Sequence, residues 1–433
     1  LIKDSAAPTT ATGGQNSGAK TRYIVHVTDN TSLNVNAKHA APTIDKTVWD
    51  DDDGNYAGTK DGTNNGTAVA GYYETADHAI NEQFTFKLTA TLVADSQYAA
   101  YDTYRVIFDD TLSAGVTYEE IQSVTVKGHT VDAYTEAPAS GEDNRTAKQK
   151  AGYKLTAPTY NGTTIGGGDL KIEIGDIKQW LENSETLADG VTVEVIYKAH
   201  LNENATVENA DTNSNTDYAN VNKVKLRYSN NPNVTGSGDS DTPGNDEETG
   251  ETPYDFTWVF TYKVDNNKVD ENNAALEGAG FVLKNAEGNE ISLAFDSTNK
   301  FYYPAKTGDT IVAAMTSSKN GSNAADAKAI FNIRGLDAGQ YTLEETVVPA
   351  GYNKCADIPI TITATHGEKS NDAAIAELDL IATNVNNTVE NKKGSTLPST
   401  GGIGTTLFYL AGGVMVVGAG VVLITKKRLG KED

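Results

Sequence analysis

Between residues 39 and 235 the apolar and polar positions alternate with a period of two. The run Val191-Thr192-Val193-Glu194-Val195-Ile196-Tyr197-Lys198-Ala199-His200-Leu201 is the clearest case. A period of two places successive side chains on opposite faces, the signature of half-buried antiparallel strands. Similar runs recur from residue 254 to 394, and one short run, Tyr23 to Val27, lies in the first 38 residues. A stretch rich in Gly, Ser, Asp, Pro and Glu, residues 236–253, separates the two strand-rich parts and reads as a linker or long loop. Helical periodicity is scarce before the C-terminus. The pattern predicts an all-β protein: two immunoglobulin-like sandwiches in series, 39–235 and 254–394, ahead of a distinct C-terminal segment.

That segment, 395–433, has three parts. Leu397-Pro398-Ser399-Thr400-Gly401 comes first, followed after a short spacer by an apolar run of 18 residues from Leu407 to Ile424. Lys426, Lys427 and Arg428 close it. The run is just long enough to cross the hydrocarbon core as a helix, and the basic cluster marks its end as cytoplasmic. A simple tail anchor would need only the span and the charges; the pentapeptide adds a third element. The arrangement resembles the sorting signal of sortase substrates. By that resemblance a sortase cysteine attacks the carbonyl of Thr400 and releases everything from Gly401 onward, and an amine resolves the acyl-enzyme. The first thirty residues hold no apolar signal-peptide core, and the chain starts at Leu1. With a C-terminus that demands export, this reads as a processed or truncated chain.

Composition narrows the chemistry. With 433 residues the chain can bury two or three cores. A net charge of −24 argues against an electrostatic grip on nucleic acid. One cysteine, Cys355, permits no intrachain disulfide, so an extracellular chain needs some other reinforcement. Six scattered histidines form no metal-ligand motif, and no cofactor is implied. Asp50 to Asp53 before Gly54 invite a calcium reading, but the EF-hand frame ending at that glycine puts Trp49 at the first ligand position and Lys60 at the twelfth. A solvated acidic loop fits better.

Residues 254–394 carry Tyr341-Thr342-Leu343-Glu344-Glu345-Thr346-Val347-Val348-Pro349-Ala350-Gly351-Tyr352. This resembles the E-box of Cna-B-type pilin domains. The opening run Phe256 to Asp265, the later Leu276-Glu277-Gly278-Ala279-Gly280-Phe281 and the final Thr388-Val389-Glu390-Asn391 match that family as well. The resemblance implies a spontaneous Lys–Asn isopeptide bond promoted by a buried acid, with Lys263, Asn391 and Glu345 in those roles. Burial favours a neutral amine beside a neutral acid, which can then polarise the asparagine carbonyl and shuttle protons. Glu345 shares parity with Tyr341, Leu343 and Val347, and Asn391 with Val385 and Val389, so both point inward. Lys263 alternates with Val259 and Thr261, whereas Phe256, Trp258, Phe260 and Tyr262 hold the other face. Its assignment comes from the resemblance and not from parity.

Residues 39–235 resemble the fimbrial isopeptide-forming domain of shaft pilins, through Ile44-Asp45-Lys46-Thr47-Val48, Tyr101 to Tyr104, Phe108 to Leu112, and Val221 to Asn233. Here parity agrees. Lys46 alternates with Ile44 and Val48, Asp110 with Val106, Phe108 and Leu112, and Asn222 with Val224, Leu226 and Tyr228. The set is either bond-forming, with Asp110 as the acid, or a buried salt bridge beside a hydrogen-bonded amide. Asn220 and Asn230 share the parity of Asn222 and stay open as partners.

Upstream, Leu33, Val35 and Ala37 share one face and leave Lys38 on the polar one. An exposed lysine just before the inward Lys46 resembles the acceptor lysine of shaft subunits, although Asn36-Ala37 stands where that motif has Tyr-Pro. Lys60 is the second choice. The resemblance implies a sortase, neighbouring subunits and peptidoglycan as partners, at the cell wall outside the cell. A wall-anchored adhesin or ancillary subunit, bound to host or matrix ligands and not polymerised, is the alternative. No nucleophile–base pair suggests an anchored enzyme.

Overall fold

The computed structural model describes residues 41–51, 70–207, 220–234, 236–242, 249–320, 328–366, 378–383 and 385–394, with short pieces at 2–3, 22–23, 55–56, 415–416 and 419. Lys38, Lys60, the LPSTG pentapeptide and nearly all of the expected membrane span lie outside the described residues. Among the described residues no helix is long and apolar enough to cross a membrane.

The all-β expectation holds. Two sandwiches follow one another, each made of two sheets. In the first, one sheet runs in the order His129–Thr130, Val116–Val126, Val191–Leu201, Gln83–Leu92, Thr43–Asp50 and Gly71–Tyr73. The facing sheet runs Lys154–Thr156, Gly168–Ile174, Val106–Leu112, Asn220–Ser229, Asp255–Phe260 and Thr75–Asp77. The strict alternation in the long strands explains the layering. In Val191–Leu201 every odd position is buried, and in Gln83–Leu92 every even one. The inward faces of Phe86, Leu88, Phe108, Val195, Tyr197 and Leu226 form one continuous core.

The second sandwich pairs a sheet ordered Leu293–Asp296, Phe301–Pro304, Ile333–Leu336, Tyr262–Asp270, Lys328–Ile330 and Ser318–Asn320 with one ordered Met315–Thr316, Gly280–Lys284, Gly339–Val347, Ile358–His366 and Leu378–Thr383. Its last strand, Asn386–Asn391, runs parallel to its first, Tyr262–Asp270. Phe281 and Phe331 stack at 4.3 Å in its core.

Two expectations about organisation need correction. The run Phe256 to Asp265 is not one strand. Asp255–Phe260 adds to the first sandwich, antiparallel to Asn220–Ser229 and parallel to Thr75–Asp77. The chain then turns at the buried Thr261, and Tyr262–Asp270 opens the second sandwich. Nor is 236–253 a free linker. Ser240 is buried, with its hydroxyl donating to the Gly152 carbonyl and accepting from the Gly175 N–H. Arg105, itself buried, donates to the Asp239 and Ser240 carbonyls and to Glu173. Thr249–Glu251 pairs with Asn220–Ser229. A polar composition suited to a linker is here fastened by one buried guanidinium, which hydropathy does not register.

The sandwiches touch directly. The Ile80 N–H donates to the Gly335 carbonyl at 2.9 Å, and Asn81 donates to the Pro304 carbonyl. Gly335 has φ +77, and a Cβ there would lie 2.3 Å from the Ile80 side chain, so glycine serves both the positive φ within its strand and the close approach.

Candidate functional site: two buried lysine–acid–asparagine sets

In the first sandwich the Lys46 strand and the Asp110 strand lie in opposite sheets, and their inward faces meet. Lys46 Nζ is wholly buried and donates to Asp110 Oδ1 at 2.6 Å and Oδ2 at 2.5 Å. It also donates to the Tyr197 hydroxyl at 3.0 Å and lies 4.7 Å from the centre of the Phe86 ring. Burial pushes the lysine below its ordinary range, with the Asp110 charge and hydrogen bond opposing that shift. Tyr197 in turn donates to Asp110 Oδ2 at 2.8 Å. Burial holds its phenol far above the usual range, so it stays protonated.

Asn222 lies on the strand next to Asp110, where Val224 is directly opposite that acid. It is fully buried, and its Oδ1 accepts from the Ser113 N–H at 2.8 Å. Its Nδ2 has no hydrogen-bond partner. A buried amide donor left in that state costs about 1–3 kcal/mol. Asn220, by contrast, is spent. Its Oδ1 accepts from the Thr206 N–H, and its Nδ2 donates to the Thr206 and Val259 carbonyls. Asn230, also buried, sits just past the end of this strand.

In the second sandwich Glu345 and Asn391 are both 1% exposed. Asn391 Nδ2 donates to Glu345 Oε1 at 2.7 Å, and the Cys355 N–H donates to Oε2 at 2.8 Å. The lysine beside them is Lys268, not Lys263. Lys268 is wholly buried, its Nζ donates to the Val389 carbonyl at 3.0 Å and the Val269 carbonyl at 3.1 Å, and burial lowers its pKa against the pull of the Glu345 charge. Lys263 is half-buried and paired with Asp265 at 3.0 Å. The reason is register. On Tyr262–Asp270 the inward positions begin Tyr262, Val264, Asn266 and Lys268. Parity carried on from Phe260 and Tyr262 reaches Lys268; the resemblance, which pointed to Lys263 on the other face, obscured it.

Sequence reasoning also missed Tyr197, which looked like one more inward aromatic, and the backbone of Cys355. The Cys355 thiol is pushed up to about 11 by burial and the neighbouring Glu345. Away from both sets, Asp51, His78, Glu82 and Asp337 bring ligand-type atoms within 4.8 Å of one another where the sandwiches meet. The His78 nitrogens there already face the Trp49 carbonyl at 2.7 Å and Glu82 at 3.3 Å. Burial works against the charged ring, but these partners and Asp50 outweigh it and raise the pKa of His78.

Each set brings together an amine, a carboxyl group and a carboxamide, all buried, which are the three groups an intramolecular transamidation that releases ammonia requires.

Residues 262–375 match the prealbumin-like fold domain of the SpaA family, and residues 389–428 match the LPXTG cell wall anchor motif. No curated protein matches the chain. Among solved structures, the chain is similar to a C-terminal fragment of a major pilin of Streptococcus agalactiae, at 18% identity and TM-score 0.44, covering 74% of this chain and 91% of that one. It is similar to the pilus backbone protein RrgB of Streptococcus pneumoniae, at 16% identity and TM-score 0.43, covering 82% and 100%. The full-length major pilin SpaD of Corynebacterium diphtheriae matches at 16% identity and TM-score 0.41, covering 89% and 78%. The anchor motif and the domain before it thus place this chain among the extracellular, wall-anchored LPXTG proteins of Gram-positive bacteria that carry a SpaA-type prealbumin-like domain.

Proposed function

We propose that the protein is a shaft subunit of a covalently polymerised pilus, in which a sortase joins Thr400 of one subunit to Lys38 of the next. Within each subunit two amide cross-links, Lys46–Asn222 and Lys268–Asn391, replace the disulfides that a single cysteine cannot supply. In each, the neutral lysine nitrogen adds to Cγ of the asparagine, the Cγ–Nδ2 bond breaks, and ammonia leaves. Asp110 and Glu345 carry the protons.

The observation that supports this best is the Asn222 amide. Its oxygen is held by Ser113, its nitrogen is buried without an acceptor, and it lies beside a buried lysine–acid pair, with Asp110 on the neighbouring strand of its own sheet and Lys46 on the facing sheet. Loss of that nitrogen as ammonia removes the unsatisfied donor. The product suits a fibre under load. Each bond closes a loop of more than a hundred residues, which by the entropy model for cross-links constrains the unfolded chain by roughly 5 kcal/mol. In the second sandwich the bond would tie the first strand to the last, and in the first it would tie one sheet to the other.

Polymerisation is tested in cells with the cognate sortase. Lys38→Arg keeps the charge but offers a poor nucleophile. It should abolish the high-mass ladder of wall extracts while anchored monomer persists. A ladder that survives, or a branched Thr400 peptide that maps to another lysine, removes Lys38 from the role. A single anchored species in the unmodified protein would favour the adhesin reading.

A further inference from the structure

We infer that Tyr197 is a catalytic proton relay between Lys46 and Asp110 in closing the first cross-link, an inference that rests on the bond-forming reading given above. Among the described residues, its hydroxyl is hydrogen-bonded to both partners. It accepts from Lys46 Nζ at 3.0 Å and donates to Asp110 Oδ2 at 2.8 Å. The ring is wholly buried and fixed by Phe86 at 5.2 Å and Tyr118 at 5.9 Å, so the hydroxyl cannot turn to water. Asp110 Oδ1 and Oδ2 both contact Nζ directly, at 2.6 and 2.5 Å, and Oδ2 also accepts from Tyr197. Two proton routes from Nζ to Oδ2 therefore exist, one direct and one through the phenol.

The steps balance. First, one Nζ proton passes to Asp110 Oδ1, leaving a neutral amine and a neutral acid. The amine lone pair adds to Asn222 Cγ, and the Ser113 N–H, already 2.8 Å from Oδ1, stabilises the oxyanion that forms there. The new C–N bond leaves Nζ with one proton too many. Nζ passes that proton to the Tyr197 oxygen while Tyr197 gives its own to Asp110 Oδ2. Asp110 meanwhile releases the Oδ1 proton to the departing nitrogen. The oxyanion re-forms the carbonyl, the Cγ–Nδ2 pair leaves with nitrogen, and ammonia departs. Tyr197 ends as it began, and Asp110 ends neutral. Nζ also touches Oδ2 directly at 2.5 Å, so the relay runs beside a direct transfer, and its share is read from the rate lost without the hydroxyl. Among the described residues of the second sandwich no hydroxyl is hydrogen-bonded to Lys268, whose Nζ donates to the Val269 and Val389 carbonyls.

That difference supplies an internal clock. The full chain would be made by cell-free synthesis, and denatured intact mass followed over time across a pH series. Digestion would identify the branched Lys46 and Lys268 peptides. Tyr197→Phe should slow the appearance of the Lys46 branch by roughly tenfold or more and alter its pH profile, with the Lys268 branch on its normal schedule. A second chain carrying 3-fluorotyrosine at position 197 keeps shape and hydroxyl and changes only phenol acidity. It should also change the Lys46 rate, which keeps the question answerable if the phenylalanine variant misfolds. Tyr118→Leu loosens the packing on Tyr197 with its hydroxyl intact, away from Lys46, and should leave the pH profile as it was. Unchanged rates in the fluorinated chain, or the same profile change in Tyr118→Leu, would overturn the relay. Absence of both branches in the unmodified protein would overturn the bond-forming reading itself.

Discussion

Lys268 donates its ammonium hydrogens to the carbonyl of Val389, two residues before Asn391 on the neighbouring parallel strand. Asn391 lies opposite Asp270, so lysine and asparagine sit on adjacent strands, offset by two positions, with Glu345 hydrogen-bonded to the asparagine from the facing sheet. That relationship replaces the Lys263 pairing suggested by resemblance, and the two lysines can be separated by experiment.

Lys268→Ala should abolish the second cross-link, so its denatured mass, corrected for the substitution, should be one ammonia heavier than that of the unmodified protein. Lys263→Ala removes only a half-buried ion pair with Asp265, worth about 0–1 kcal/mol, and should leave the cross-link intact. The reverse pattern would restore Lys263.

Asp110→Ala and Glu345→Ala should each delete one bond and leave the other. Either variant should lose up to roughly 5 kcal/mol of unfolding stability, as expected for reopening a loop of this size. Protease resistance and denatured mass read the two effects separately. An unchanged mass in either variant means that the acid is misassigned.

Arg105→Ala should destabilise the first sandwich by roughly 1–3 kcal/mol, because it takes the donor from the Asp239 and Ser240 carbonyls and leaves Glu173 with Lys171 as its ion-pair partner. Limited proteolysis should then cut within 236–242. If this stretch is no more accessible than before, Arg105 is not what fastens it.

His78 makes the contact between the sandwiches pH-dependent. Its folded pKa is raised above the unfolded value, so its contribution is complete below about pH 6.5 and fades as pH rises through the folded pKa. Asp51, raised by burial and by Glu82, acts with the same sign, but from the acid side, where pH rises past the ordinary carboxylate value. Melting temperature should therefore fall with rising pH across this window, and His78→Gln should flatten the slope. An equal slope in the variant would assign the effect elsewhere.

Most of both sets was legible from alternation. Lys46, Asp110, Asn222, Glu345 and Asn391 sit on strands with one wet and one dry face, where parity alone decides burial. Lys268 escaped because the resemblance selected Lys263, although Lys268 shares the parity of Trp258, Phe260 and Tyr262. Tyr197 was visible as an inward aromatic, but its place against Lys46 depends on how two sheets stack, which no single strand encodes. The 236–242 segment was misread because a loop's composition does not reveal which buried side chain is waiting for its carbonyls.

The central claim is that the folded protein holds two internal amides, Lys46–Asn222 and Lys268–Asn391. Intact mass under denaturing conditions tests it directly. The account predicts a mass two ammonia molecules below that of the sequence, with branched peptides at those two pairs. The full sequence mass would contradict it.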